Sequence, residues 1–370
     1  MVNIQKIIIA VMLLYPLLGN GQDAPRKTVL WRANEDSIHA HFVYGLAVTT
    51  RGTILAFAEA RIRDGADDGA HHIVMKRSTD GGNTFSASKV LVNSDHGQSW
   101  ANPTIVQDAK TGRLFLFYAL NHGNDSSQVF YMTSTDDGLT WSGIVEVTHL
   151  FDGNPHGWTF HLPGPGHGIQ LKNKRLIVPV WHRKSISFAA ADRMYGVNCI
   201  YSDDHGKTWK NGWDAPVGEF NESQVVEKAN GDVLLVGRMY SPQYGSFQAK
   251  VTSRNRGANW QAPAVYDEGL TGAVCDIGLT RYALKPNIIL VSQPADLKKR
   301  RDLTIRLSKN EGATWPVSKL LQEGSATYSD LAVLPDGGIL CLYGHGGSRH
   351  MPDVVTVARF SLKWVLENQE

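Results

Sequence analysis

Short apolar or alternating runs punctuate this chain, and turn-forming residues close each one. Examples are Ile73-Val74-Met75, Phe115-Leu-Phe-Tyr118, Arg175-Leu-Ile-Val-Pro-Val-Trp181, Val233-Leu-Leu-Val-Gly-Arg238 and Leu303-Thr-Ile-Arg-Leu307. Runs of this length, bounded by Gly, Asp, Asn and Pro, predict β-strands. Long helical spacing is missing, and only short helices near 146–151 and 365–369 are expected. Residues 42–60 predict two strands around Thr50-Arg51-Gly52, and a Pro-Asp-Gly turn predicts a hairpin in Ala332–Tyr343.

Many of the runs end in one box, Ser-x-Asp/Asn-x-Gly-x-Thr/Asn-aromatic. Ser78-Thr-Asp-Gly-Gly-Asn-Thr-Phe85 is the first copy. Ser134–Trp141 and Ser202–Trp209 repeat it, and Ser253–Trp260 and Ser308–Trp315 are weaker copies with Asn in third place. They start at 78, 134, 202, 253 and 308, in steps of 56, 68, 51 and 55 residues. A recurrent unit of this size predicts a propeller whose blades are the repeats. The Asp or Asn is expected to bond backbone N–H groups two residues on, the Gly to take positive φ, and the aromatic to pack under the turn. The boxes are therefore read as turn-shaping, without a chemical role.

A ring of blades must close. Residues 28–32 form an isolated strand at one end, and Val354–Trp364 offers strand material at the other. One domain over 23–370 is expected, because the repeats span most of the chain. Residues 1–22 read as a secretory signal: Lys6, an apolar run from Ile7 to Gly19 broken by Pro16, then small and polar residues. The run is short for a membrane span, and no Cys marks a lipid anchor. Cleavage is expected near Gly21 or Gln22, with an uncleaved anchor as the alternative.

Composition narrows the partners. The net charge is +2 with 19% charged residues, which gives no footprint for nucleic acid or a membrane surface. Cys199, Cys275 and Cys341 are an odd, scattered set, expected as buried thiols. No metal-ligand spacing appears, and no cofactor is expected.

Polar residues at strand ends carry the candidate chemistry. The loop Arg61–Gly69 holds Asp64, Asp67 and Asp68 and runs into His71 and His72. His167 lies between two glycines and is a candidate lining residue. Glu222 starts one apolar strand and Arg238 ends the next, so the two suit an ion pair across a hairpin. Lys298-Lys-Arg-Arg-Asp302 is a basic run, read by default as a solvated face.

Several segments together resemble the exo-sialidases. They are Gly52-Thr-Ile-Leu-Ala-Phe-Ala-Glu59, Gly164-Pro-Gly-His-Gly-Ile169, Asn221-Glu-Ser-Gln224, Leu303–Ser308 and Tyr328-Ser-Asp-Leu331. The resemblance runs from about Val43 to Trp364. It implies an all-β six-bladed propeller and retaining hydrolysis of a terminal acidic sugar on a glycan. It also implies Tyr328 as nucleophile, Glu222 as its base, and Asp67 as acid/base with Asp68 the neighbouring choice. Arg238 and Arg300 would grip the sugar carboxylate, with Arg301 the adjacent alternative. The family's first carboxylate-binding arginine falls on Phe42, and the glutamate that steadies it falls on Gly344. Both halves of an ion pair are absent together, which avoids stranding a buried charge. Phe42 and Tyr44 are expected as an apolar wall, and His39, His41, His71 and His72 as surface or supporting residues.

The implied chemistry has a physical reason. A sialoside carries a carboxylate on its anomeric carbon, and a carboxylate nucleophile would approach against that charge. A phenol approaches neutral and becomes nucleophilic only as a base takes its proton. Arginine forks bind a carboxylate in a bidentate way that lysine does not reproduce. Two other readings stand beside this one. A propeller lyase could use His and Tyr on an acidic polysaccharide, and a non-catalytic glycan-binding propeller would need none of the Tyr, Glu and Asp set.

Overall fold

The computed structural model describes residues 24–187, 194–215, 218, 220–239, 247–260, 264–347 and 351–367. The proposed signal at 1–22 lies outside them. The described residues are all-β apart from the short 3-10 turn Thr148–Phe151 and the helix Leu362–Leu366, close to where short helices were expected. No helix among the described residues is long and apolar enough to cross a membrane.

Among the described residues the strands form sheets of seven, five, nine and four strands. Their recurring unit is an antiparallel run of four. Ala40–Val48, Ile54–Arg61, His71–Ser78 and Lys89–Val92 make the first. Ser99–Gln107, Leu114–His122, Ser126–Ser134 and Val145–Glu146 make the second. The third is Phe160–Pro163, Leu176–Arg183, Tyr195–Ser202 and Lys210–Asn211. The fourth is Phe220–Glu227, Val233–Met239, Phe247–Ser253 and Val265–Thr271. Gly278–Leu284, Asn287–Pro294, Arg301–Ser308 and the front of the long strand Val317–Val333 follow. The back of that long strand opens the last run, with Ile339–His345 and Val354–Phe360. Arg26–Arg32, from the other end of the chain, pairs antiparallel with Val354–Phe360 and completes it. The expected pairing of the two chain ends is therefore present.

Each box begins at the last residue of a third strand: Ser78, Ser134, Ser202, Ser253 and Ser308. The box is thus the turn from third strand to fourth. The last run has none, because its fourth strand arrives from the N-terminal side. In the first copy Gly82 N donates to Ser78 Oγ (3.0 Å) and Thr84 N to Asp80 Oδ1 (3.0 Å), while Thr84 Oγ1 donates to Asp80 Oδ2 (2.7 Å). The bonded amide is four residues beyond the Asp and not two. The reason is that two of the three intervening residues, Gly81 and Gly82, take positive φ and curl the chain around the carboxylate. The Asn copies keep the backbone bond: Asn259 N to Asn255 Oδ1 and Thr314 N to Asn310 Oδ1, each 2.9 Å.

The aromatic lies near its own turn glycine, as Phe85 does by Gly82 and Trp315 by Gly312, and also reaches the preceding run. Trp209 lies against Phe115 and Phe117 of the preceding run, at centroid distances of 5.4 and 4.8 Å. Trp141 meets Phe57 in the same way, edge to face at 6.0 Å. The boxes therefore fasten adjacent runs together. Gly206, at φ +77°, faces the Phe115 ring so closely that a Cβ would overlap it. Gly112, at φ +74°, has nothing within 4 Å. Gly112→Ala is expected to cost about 1–2 kcal/mol for left-handed strain alone. Gly206→Ala should cost about 2–4 kcal/mol, as overpacking adds to the strain. Urea denaturation of both variants measures the difference, and equal costs would contradict the close-packing account.

The first strands of neighbouring runs touch one another except between the third and fourth, where Leu176–Arg183 and Tyr195–Ser202 meet Phe220–Glu227, and Val317–Val333 touches Ala40–Val48 to close the circuit. Asp330 sits where they converge. It is fully buried, and its Oδ2 accepts Leu46 N (2.8 Å). Its Oδ1 accepts Gln224 Nε2 (3.1 Å) and faces His167 Nδ1 (2.8 Å). One carboxylate thus ties four runs together. Cys199, Cys275 and Cys341 are free and buried.

Candidate active site

A cavity of about 240 Å³ opens at the leading ends of the first strands. It exists there because Phe42, Ala101, Phe160 and Asn221 near the starts of their strands, and Tyr328 in the back part of Val317–Val333, surround one centre and leave a bowl between their side chains. Its floor holds Tyr328, Glu222 and Arg238. The phenol Oη lies 2.6 Å from both Glu222 carboxylate oxygens. Arg238 Nη1 donates to Glu222 Oε2 (2.6 Å) and to Tyr328 Oη (2.9 Å). Three strands from two runs supply these groups, which are up to 106 residues apart in sequence.

Burial and the Glu222 charge hold the Tyr328 phenol well above its ordinary pKa, against the pull of Arg238 and Arg300. The resting state is a neutral phenol hydrogen-bonded to a carboxylate. Burial opposes the Arg238 charge, but Tyr328 and Glu222 outweigh it and raise the guanidinium further. Asp276 lies within electrostatic reach, and burial, then Glu222 and Asp330, push its carboxyl far up. A neutral Asp276 spares the floor a second negative charge.

Arg300 lies 5.2 Å over the Tyr328 ring, with its Nε on Val274 O (3.2 Å). Arg301 instead bonds its neighbour Asp302 (2.9 Å) and is exposed, so Arg300 is the arginine brought to the site. Phe42 lines the cavity 4.7 Å from the Tyr328 ring. Tyr44 does not line it. It stands edge-on behind Phe42 at 6.2 Å, buried, and donates to His41 O (3.2 Å). A Cβ on Gly344 would overlap the Tyr44 hydroxyl, so the phenol occupies the room that a longer residue at 344 would need.

Asp67 reaches the rim, and Asp68 is exposed and off the cavity wall. Asp67 Oδ1 pairs with Arg61 Nη1 at 2.9 Å. Arg61 is buried, lies 4.9 Å over the Phe42 ring and donates from Nε (3.2 Å) and Nη2 (2.9 Å) to Glu59 Oε2. Glu59 also accepts Asn102 N (2.9 Å), and burial, opposed by Arg61, raises its pKa to about 7. His71 supports this loop through Nε2 on Ala66 O (2.9 Å), and burial lowers its pKa to about 4. His41 stacks on Trp31 at 5.3 Å, and His72 Nδ1 accepts Ser94 N (3.0 Å). None of the four histidines from His39 to His72 lines the cavity.

His167 is not at this site. Its partner Asp330 holds it on the axis, and it faces a separate cavity of about 310 Å³ at the trailing ends of the same strands. The glycines beside it serve close strand packing and do not bare a substrate surface. Sequence reasoning also missed Glu59 and Arg61. They are two apart on a strand, hence on one face, and two opposite charges on one face of an apolar strand were a legible signal. Asn102, Trp181 and Arg183 on the wall had no such signal.

Residues 52–341 match the BNR repeat-like domain model. A sialidase of Micromonospora viridifaciens is 31% identical over 347 residues, which cover 86% of this chain and 51% of the relative. A Bacteroides fragilis sialidase is 28% identical, with 84% of this chain and 61% of the relative covered. The chain thus spans about half to three fifths of these two relatives. A Hadza microbial sialidase superposes with a TM-score of 0.78 at 27% identity, covering 90% of this chain and 68% of that one. The chain belongs to the sialidase family, with BNR-like repeats as its building units.

Proposed function

We propose that this protein is a secreted retaining exo-glycosidase of the sialidase type, built on a six-bladed propeller. It releases terminal sialic acid or a related acidic sugar from glycans. The six four-strand runs and the circuit of contacts between neighbouring runs support six blades. Secretion rests on the apolar segment at 1–22. The observation that carries the chemistry is Tyr328 Oη at 2.6 Å from both oxygens of Glu222.

Tyr328 attacks the anomeric carbon as Glu222 takes the phenol proton, and the bond to the leaving oxygen breaks. Asp67 gives its proton to that oxygen. A glycosyl–tyrosine intermediate results, with inverted anomeric configuration. Asp67 then takes a proton from water, the water oxygen attacks the same carbon, and Tyr328 leaves with its proton returned from Glu222. Two inversions give net retention. Arg238 and Arg300 hold the sugar carboxylate, and Arg238 also sits where charge develops on the phenol oxygen.

The test is hydrolysis of an aryl α-sialoside, with the first-formed anomer observed by proton NMR. Release of the α-anomer before mutarotation is the expected result. First release of the β-anomer, or no hydrolysis by folded protein, overturns the reading.

A further inference from the structure

A general acid must reach the leaving oxygen, yet the Asp67 carboxylate rests on Arg61 at 2.9 Å. Its partner is fixed. Arg61 is 2% exposed, held on Glu59 by two nitrogens, on Gly65 O by Nη1 (2.6 Å), and across the Phe42 ring. Asp67 is the loosely packed member, its side chain 76% exposed. Its backbone is pinned independently, because its carbonyl accepts Ser99 Oγ (3.1 Å) and Asn121 Nδ2 (2.9 Å). The carboxylate can therefore leave Arg61 by side-chain rotation while the loop stays in place. Both residues face the cavity.

We propose that the substrate carboxylate, besides meeting Arg238 and Arg300, takes the place of Asp67 on Arg61 and so frees Asp67 to turn to the leaving oxygen as the acid. This rests on the acidic-sugar reading above. Arg61 is then a specificity-determining residue, and the exchange is a latch opened only by an anionic ligand. One carboxylate replaces another on the same guanidinium, so the charge-assisted bonds nearly balance. A neutral sugar offers no replacement and leaves Asp67 paired with Arg61. The other titratable groups around the latch are Glu59, which stays on Arg61, and Asp64 and His71, which shape the loop. Phe42 contributes by giving Arg61 an aromatic face to rest on and no competing charge.

The test is calorimetric binding of a 2,3-didehydro analogue of the sugar acid, and of its methyl ester, to the wild type, Asp67→Ala and Asp68→Ala. Both substitutions are at exposed positions, and thermal melts check folding. Removing the competitor is expected to tighten the acid about tenfold in Asp67→Ala. Asp68→Ala, which removes a nearby charge that is not on Arg61, should stay within about twofold. The ester should bind all three proteins alike. No gain in Asp67→Ala, an equal gain in Asp68→Ala, or the same gain for the ester overturns the exchange while the acidic-sugar reading survives. Failure of all three proteins to bind the acid overturns that reading, and the exchange with it.

Discussion

Tyr328→Phe is expected to lower kcat by about a thousandfold or more, because the variant has no oxygen to attack the anomeric carbon. The substitution is conservative in every other respect. The ring stays against Phe42 and beneath Arg300. Glu222 keeps its 2.6 Å ion pair with Arg238, so no buried carboxylate is stranded. Thermal stability and affinity for a didehydro sugar acid should therefore remain close to wild type while turnover collapses. Steady-state kinetics on an aryl sialoside, with calorimetry on the same preparations, separates these effects. Turnover within tenfold of wild type would remove Tyr328 as nucleophile and favour direct attack by water.

The second large effect is on stability and lies on the axis. Asp330 accepts Leu46 N on one oxygen, and Gln224 and His167 on the other. Asparagine in its place offers one acceptor, so one side must meet an N–H with an N–H. Asp330→Asn is expected to cost about 2–4 kcal/mol at neutral pH, from one orphaned buried donor and one lost charge-assisted bond. The pH dependence carries a definite sign. Burial lowers the His167 pKa, but the Asp330 charge outweighs it and leaves the folded-state value raised. That contribution is fully present below the unfolded value of about 6.5 and fades as pH rises through the folded value. The gap between wild type and Asp330→Asn should therefore be widest in mild acid and narrow in alkali. Urea titrations across that range measure it, and a gap that widens with pH would contradict a charged His167.

The local signals proved the most readable. Each box is a self-contained turn, in which a Ser, an Asp or Asn and a Gly satisfy one another within seven residues, so five turns could be placed from sequence alone. Alternation and run length likewise marked most strands. What each box aromatic touches was not local. Trp209 packs on Phe115, nearly a hundred residues earlier, and nothing in the box specifies that partner. The choice between Arg300 and Arg301 also needed the fold, since Arg301 opens the strand Arg301–Ser308 and bonds Asp302, while Arg300 just before it lies over the Tyr328 ring.

His167 and Arg61 mark the two kinds of error. The glycines around His167 looked like a bared ligand surface, but the first strands converge there and need close backbone approach. Arg61 passed unremarked as the start of a loop, yet it is buried at the rim beside Asp67.

The sequence alone determined that this is an all-β chain of repeated hairpins, and that it carries Tyr328, Glu222, Asp67, Arg238 and Arg300 at strand ends. Those features depend on residue type and short-range order. Only the tertiary structure decided that Tyr328 and Glu222 meet at 2.6 Å, that Asp67 is tied to Arg61, and that His167 belongs to the axis. The Tyr328–Glu222 and His167–Asp330 contacts join separate runs, and closure of the whole circuit, which no stretch of sequence encodes locally, sets which strand ends converge. Arg61 and Asp67 lie on one hairpin, but burial of Arg61 against Glu59 and Phe42 is what fixes their pairing.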